Sequence, residues 1–179
     1  MIQDNVDRYG SISRLLHWGM ALLLLWQFSS AAARMLAEDT AVEQFLWSTH
    51  KPLGALLLTL VVIRILWALV NASHRPPSIN IAARAGHIAL YLLLLVIPAI
   101  ALLRQYGSGR SFEPFGIPLF PGFEGNEIAW MEAPANLLHS WLGWLLLVMV
   151  MGHIAMVIVH RRSPNHEDVL RRMIKSDIT

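Results

Sequence analysis

The chain has 179 residues, 55% of them apolar, and 14 Lys and Arg against 12 Asp and Glu, for a formal net charge of +2. So small a basic excess gives a nucleic-acid-binding reading nothing to stand on. The absence of cysteine excludes disulfides, thiolate-held iron–sulfur clusters, CxxCH haem attachment and a cysteine nucleophile.

The first 14 residues, Met1 to Arg14, are polar and mixed in charge and do not have the pattern of a cleaved signal peptide. Four apolar runs of membrane-spanning length follow: Leu15 to Ala33, Leu53 to Val70, Ala85 to Leu103 and Leu137 to His160. Turn chemistry within them is too sparse for hairpins and barrel-type alternation is absent, so helices are the economical way to satisfy their backbone groups in lipid. The spans are placed at about 13–35, 45–70, 82–104 and 134–160 of one membrane-embedded domain covering 1–179. The expected fold is an all-α membrane protein, a four-transmembrane-helix bundle.

The connections alternate in charge. Arg8 and Arg14 precede span one, Arg75 and Arg84 lie between spans two and three, and Arg161, Arg162, Arg171, Arg172 and Lys175 follow span four. Glu38, Asp39 and Glu43 lie between spans one and two, and Glu113, Glu124, Glu127 and Glu132 between spans three and four. The positive-inside rule puts both termini in the cytoplasm; Arg34, Lys51, Arg104 and Arg110 run against the trend. The connection from Gln105 to Ala133 is long and rich in Gly, Pro and aromatics, and reads as a cap over the outer end. Trp47, Trp130 and Trp141 fit an interfacial aromatic belt.

Eight histidines occur. His74 and His166 lie in polar segments and are expected to be solvated, and His160 to snorkel at the inner end of span four. The other five fall inside the spans at two depths: His50 and His139 near the outer ends, His17, His87 and His153 near the inner ends. His139 and His153 are fourteen residues apart on one helix, roughly 21 Å along the axis and close to four whole turns, so they share a face. A lone intramembrane histidine is ordinarily a hydrogen-bonded packing residue; five, on all four spans and in two layers, are harder to read that way. Two imidazoles from facing helices at one depth are what bis-histidine haem needs. Zinc would need three or four ligands per layer, and the outer layer has no carboxylate or cysteine inside a span to complete the set. Counting forces the outer pair, His50 with His139, and leaves the inner pair open among His17, His87 and His153.

Arg64 falls fourteen residues after His50, on the same face at the inner level, and no Asp or Glu lies within any of the four apolar runs. A buried guanidinium needs an anion, and a haem propionate is one. Arg14, three residues before His17, either serves likewise or snorkels.

The stretches RLLHWGMALLLL, WSTHKPLG, VVIRILW, ARAGHIALYLLLLVIP, LLHSWLGWLL and MGHIAMVIVHR resemble the bacterial cytochrome b561 family, which is grouped with the membrane cytochrome b subunits of hydrogenases and formate dehydrogenases. The resemblance runs from about Tyr9 to Ile174. It implies two b-type haems in the bundle, the outer held by His50 and His139 and the inner by His17 and His153. His87 is then left as a non-ligand near a quinone or a propionate; the alternative is ligation of the inner iron by His87 and His153. Two occupied axial positions disfavour oxygen activation, which leaves electron transfer. The resemblance implies exchange with the quinone pool (ubiquinone) in the bacterial inner membrane, with superoxide at the outer face as one candidate donor. Lys51, Arg104 and Arg110 are the residues available to steer such an anion. A subunit passing electrons between a separate redox partner protein and quinone is the alternative. A haem-free transporter, its histidines serving as proton relays, is disfavoured by the lack of intramembrane acids.

Overall fold

The computed structural model describes residues 1–163 and 168–174. The expectations for His166 and Lys175 fall outside the described residues. Four long helices make up the architecture: α1 (Ser11–Leu36), α2 (Ala41–Val70), α3 (Ile81–Gly107) and α4 (Ala129–Arg162). Each is long and apolar enough to cross a membrane. Their lengths of 26, 30, 27 and 34 residues exceed the ~20 residues that span a hydrocarbon core.

The helix starts follow local chemistry. Thr40 caps α2, its hydroxyl accepting from the Glu43 backbone N–H, and Asn80 caps α3 by accepting from Ala83. Asp39, at φ 63°, makes the turn that lets α2 fold back beside α1. Pro52, Pro98 and Pro134 lie inside α2, α3 and α4, where each removes one N–H from the helical ladder.

Close packing runs between chain neighbours, α1 on α2, α2 on α3 and α3 on α4, whereas among the described residues α4 packs closely on neither α1 nor α2. The tightest core is Met20, Leu57 and Val61, with Leu23, Leu24, Tyr91 and Leu94 around it, and so belongs to α1, α2 and α3. Leu22, Leu66, Leu92 and Val148 point outward. In lipid such a core is held by dispersion and fit rather than by escape from water.

The connection between α3 and α4 folds back across one end of the bundle, the cap end. Phe112 and Phe120 pair through backbone hydrogen bonds, Tyr106 packs edge-on against Phe120 at 5.5 Å, and the Pro114–Gly116 turn packs on α2. Gly122 sits at φ 82°, and a Cβ there would stand 2.8 Å from the Gly109 carbonyl oxygen, so the turn requires glycine.

The opposite, terminal end is tied together by one buried carboxylate. Asp4 accepts from the Gly10 N–H (2.8 Å), the Ser13 hydroxyl (3.0 Å) and Arg75 Nε (2.9 Å). Trp67 Nε1 donates to the same Ser13 oxygen, and the Arg75 guanidinium lies over the Tyr9 ring. The N-terminal segment, α1 and the α2–α3 connection therefore meet at Asp4, and α2 is joined to them through Ser13.

Candidate functional site

The five intramembrane histidines gather at two levels. Toward the cap end, His50 of α2 and His139 of α4 have ring centres 6.3 Å apart. Toward the terminal end, His153 of α4 has two neighbours, His17 of α1 at 6.2 Å and His87 of α3 at 5.6 Å. His87 is exposed, and the other four are half-buried. His50–His139 and His17–His153 each join α4 to a helix on which it does not pack closely.

Two metal–nitrogen bonds of about 2 Å, plus about 1 Å from each nitrogen to its ring centre, separate two imidazole centres by about 6 Å. The three pairs, at 6.3, 6.2 and 5.6 Å, all lie close to this value. Among the described residues no three His, Asp or Glu side chains converge as one chelating group. The donor sets are pairs, so each would supply two ligands to a metal whose remaining ligands came from another group. Gly143, one turn beyond His139 on its face, lies where a Cβ would meet no atom within 4 Å, so the chain keeps bulk away from the gap between the two levels.

The cap-end pair is held in a defined tautomer. His139 Nδ1 lies 3.2 Å from the Ile97 carbonyl oxygen, which can only accept, so Nδ1 carries the proton. His50 Nδ1 lies 2.7 Å from the Ser30 hydroxyl, whose own proton goes to the Gln27 carbonyl at 2.7 Å, so His50 Nδ1 donates as well. Among the described residues neither Nε2 has a hydrogen-bond partner, so both lone pairs are available. Gln27 Nε2 donates to the His50 carbonyl (3.0 Å), and Trp47 stacks on the His50 ring at 4.8 Å and 27°. Trp47 therefore does more than sit in an aromatic belt, while Trp130 and Trp141 are exposed as a belt requires.

The terminal-end pair is arranged differently. Arg64 Nη2 lies 3.0 Å from His17 Nδ1, and because guanidinium only donates, this nitrogen accepts. The same guanidinium lies over the Tyr91 ring at 5.5 Å. Arg64 thus reaches the level that its spacing predicts, and its partners are an imidazole and an aromatic face. Arg14 is half-buried, with no side-chain hydrogen bond or ion pair among the described residues. His160 is buried rather than snorkelled, and His74 is exposed beside Ser73.

Lys51 donates to Gln105 Oε1 (3.1 Å) at the cap end, and Arg104 and Arg110 lie within its electrostatic reach. Sequence reasoning singled out the histidines, Arg64 and these cations. It missed Ser30, Gln27 and the role of Trp47, whose signal is the polar cluster Gln27, Ser29 and Ser30 late in an apolar run and a tryptophan three positions before a histidine.

Residues 8–176 match a family model described as prokaryotic cytochrome b561. "Cytochrome b561 homolog 2" of Escherichia coli strain K12 is 30% identical over 186 residues, covering 94% of this chain and 92% of that protein. "Probable superoxide oxidase CybB" of Yersinia pestis is 29% identical over 115 residues, covering 62% of this chain and 65% of that protein.

Proposed function

Because the chain belongs to the prokaryotic cytochrome b561 family, and is therefore a multi-pass, haem-b-binding membrane electron-transfer protein, we propose that it holds two haems and passes electrons across the bacterial inner membrane. His50 and His139 ligate one iron near the cap end, and His17 and His153 the other near the terminal end. The observation that carries this reading is the cap-end pair, with 6.3 Å between ring centres and both Nδ1–H groups bonded into the protein. Metal-ligating histidines ordinarily present one nitrogen in this way while the other is held by a second-shell acceptor. Bound haem supplies one-electron chemistry; the chain supplies ligands, orientation and nearby charge.

At the terminal end, Arg64 is suited to a haem propionate, in exchange for its contact with His17. Release of that contact lets His17 carry its proton on Nδ1 and offer Nε2, the state His50 already has. The alternative inner ligand is His87, but α3 already packs closely on α4, whereas His17–His153, like His50–His139, joins α4 to a helix on which, among the described residues, it does not pack closely. The termini lie in the cytoplasm, on the charge pattern of the connections. Ubiquinone is the proposed membrane acceptor. Superoxide is a candidate donor at the cap end, supported by Lys51, Arg104 and Arg110 and by the name of the Yersinia pestis relative.

The test is a reduced-minus-oxidised spectrum with haem quantified per chain, on wild type and on His17→Ala, His50→Ala, His87→Ala, His139→Ala and His153→Ala. The expected result is two haems per chain, with one lost in every variant except His87→Ala. Retention in His17→Ala with loss in His87→Ala moves the inner site to α3 and α4. A haem-free wild type refutes the proposal. Reoxidation of the reduced protein by added ubiquinone distinguishes direct exchange with quinone from a subunit that needs a separate partner.

A further inference from the structure

We infer that Ser30 is a positioning residue for His50, setting its tautomer and its donor strength toward the cap-end metal; the inference rests on the haem reading above. Ser30 is fully buried, at 0% exposure. Its hydroxyl sits in the middle of a two-bond chain: His50 Nδ1–H to Ser30 Oγ at 2.7 Å, then Ser30 O–H to the Gln27 carbonyl at 2.7 Å. Each bond polarises the next, so an oxygen whose own proton is engaged becomes a better acceptor. A strong acceptor at Nδ1 pushes electron density into the ring and raises the basicity of Nε2. A more basic imidazole favours the more positive oxidation state of the metal it binds.

The surroundings hold His50 against this contact. Gln27 grips its backbone carbonyl and Trp47 covers one ring face. Trp47 in turn lies under the Arg34 guanidinium at 5.8 Å, and Arg34 is paired at 3.1 Å with Glu43, a carboxylate only 3% exposed. Gln27, Ser30 and Arg34, along one stretch of α1, thus act on a single histidine of α2: on its backbone carbonyl, on its ring nitrogen and, through Trp47, on its ring face. Among the described residues the hydrogen-bond partner of the His139 ring is a backbone carbonyl, which side-chain substitution cannot remove. Ser30 is therefore the point at which the cap-end site can be tuned without touching a ligand.

The experiment is an optical redox titration of the haem-loaded protein as wild type, Ser30→Ala and Ser30→Thr, with the low-spin ferric electron paramagnetic resonance spectrum of each. Ser30→Ala removes one oxygen without adding volume. The expected result is an upward shift of one of the two midpoints, with up to a tenfold loss of preference for the ferric form, equal to about 59 mV for one electron. The other midpoint stays in place, and Ser30→Thr, which keeps the hydroxyl, returns toward wild type. Selective loss of one haem in Ser30→Ala with retention in Ser30→Thr supports the same role. Unchanged midpoints, equal shifts of both, or a Ser30→Thr protein that behaves like Ser30→Ala overturn the inference. A wild-type protein lacking bis-imidazole haem signals instead overturns the proposed function, so the two failures are told apart.

Discussion

Replacing Asp4 by Ala removes the buried carboxylate that joins the N-terminal segment, α1 and the α2–α3 connection. Its side chain is fully buried and has three partners: the Gly10 N–H, the Ser13 hydroxyl and Arg75 Nε. Breaking a buried ion pair by deleting one partner costs about 3–5 kcal/mol, because the other charge is left uncompensated. The orphaned Gly10 and Ser13 donors add to this, but Arg75 retains 20% side-chain exposure and can turn to water, so the whole effect is set at about 3–5 kcal/mol. At about 2–4 °C per kcal/mol for a chain of this size, the unfolding midpoint in detergent falls by roughly 6–20 °C. The damage is also directional. Ser13 lies one turn before His17 and is tied to Trp67, almost one turn beyond Arg64, so the terminal-end site loosens first. The assay is thermal unfolding followed by circular dichroism, together with haem per chain. The Asp4→Ala protein is expected to lose inner haem while keeping the outer, and Asp4→Asn, which still accepts from Gly10, to fall between. A midpoint within about 2 °C of wild type would refute the reasoning.

Three further outcomes are expected. Gly143→Leu fills the space beside the cap-end pair and lowers haem toward one per chain by pyridine haemochrome assay, with the helix itself unharmed because leucine is the better helix former. Thr40→Ala removes the α2 cap at a cost of about 1 kcal/mol, read as a shift in thermal midpoint of a few degrees with both haems retained. Burial, partly offset by Arg75, raises the pKa of Tyr9 above its ordinary value of 10.0. The folded protein then holds this proton more tightly than the unfolded chain, so the contribution is fully present below pH ~10 and is lost as pH rises through the folded pKa; thermal midpoints measured across pH 9 to 11 decline in wild type and less in Tyr9→Phe.

The four helices and the two histidine levels were legible in the sequence, and for one reason. Spanning length is a property of each run by itself, and in near-antiparallel spans the helical rise converts residue number into depth. The fourteen-residue spacings on α2 and α4 therefore placed Arg64, His139 and His153 correctly along the axis. Counting also paired His50 with His139, because among the described residues two histidines reach that level. What counting left open was rotation and choice of partner. His153 has both His17 and His87 within ring-contact range, and which of them is better spaced for a shared metal depends on how α1 and α3 are turned about their axes. Ser30, Gln27 and Trp47 act on His50 through the α1–α2 interface, which no local pattern encodes. The link from Asp4 to Arg75 crosses 71 residues, and neither residue is unusual in its own segment. Depth was written in the chain because it is one-dimensional; the clamp on His50, the partner of Arg64 and the knot at Asp4 were decided only when side chains from distant segments packed against one another.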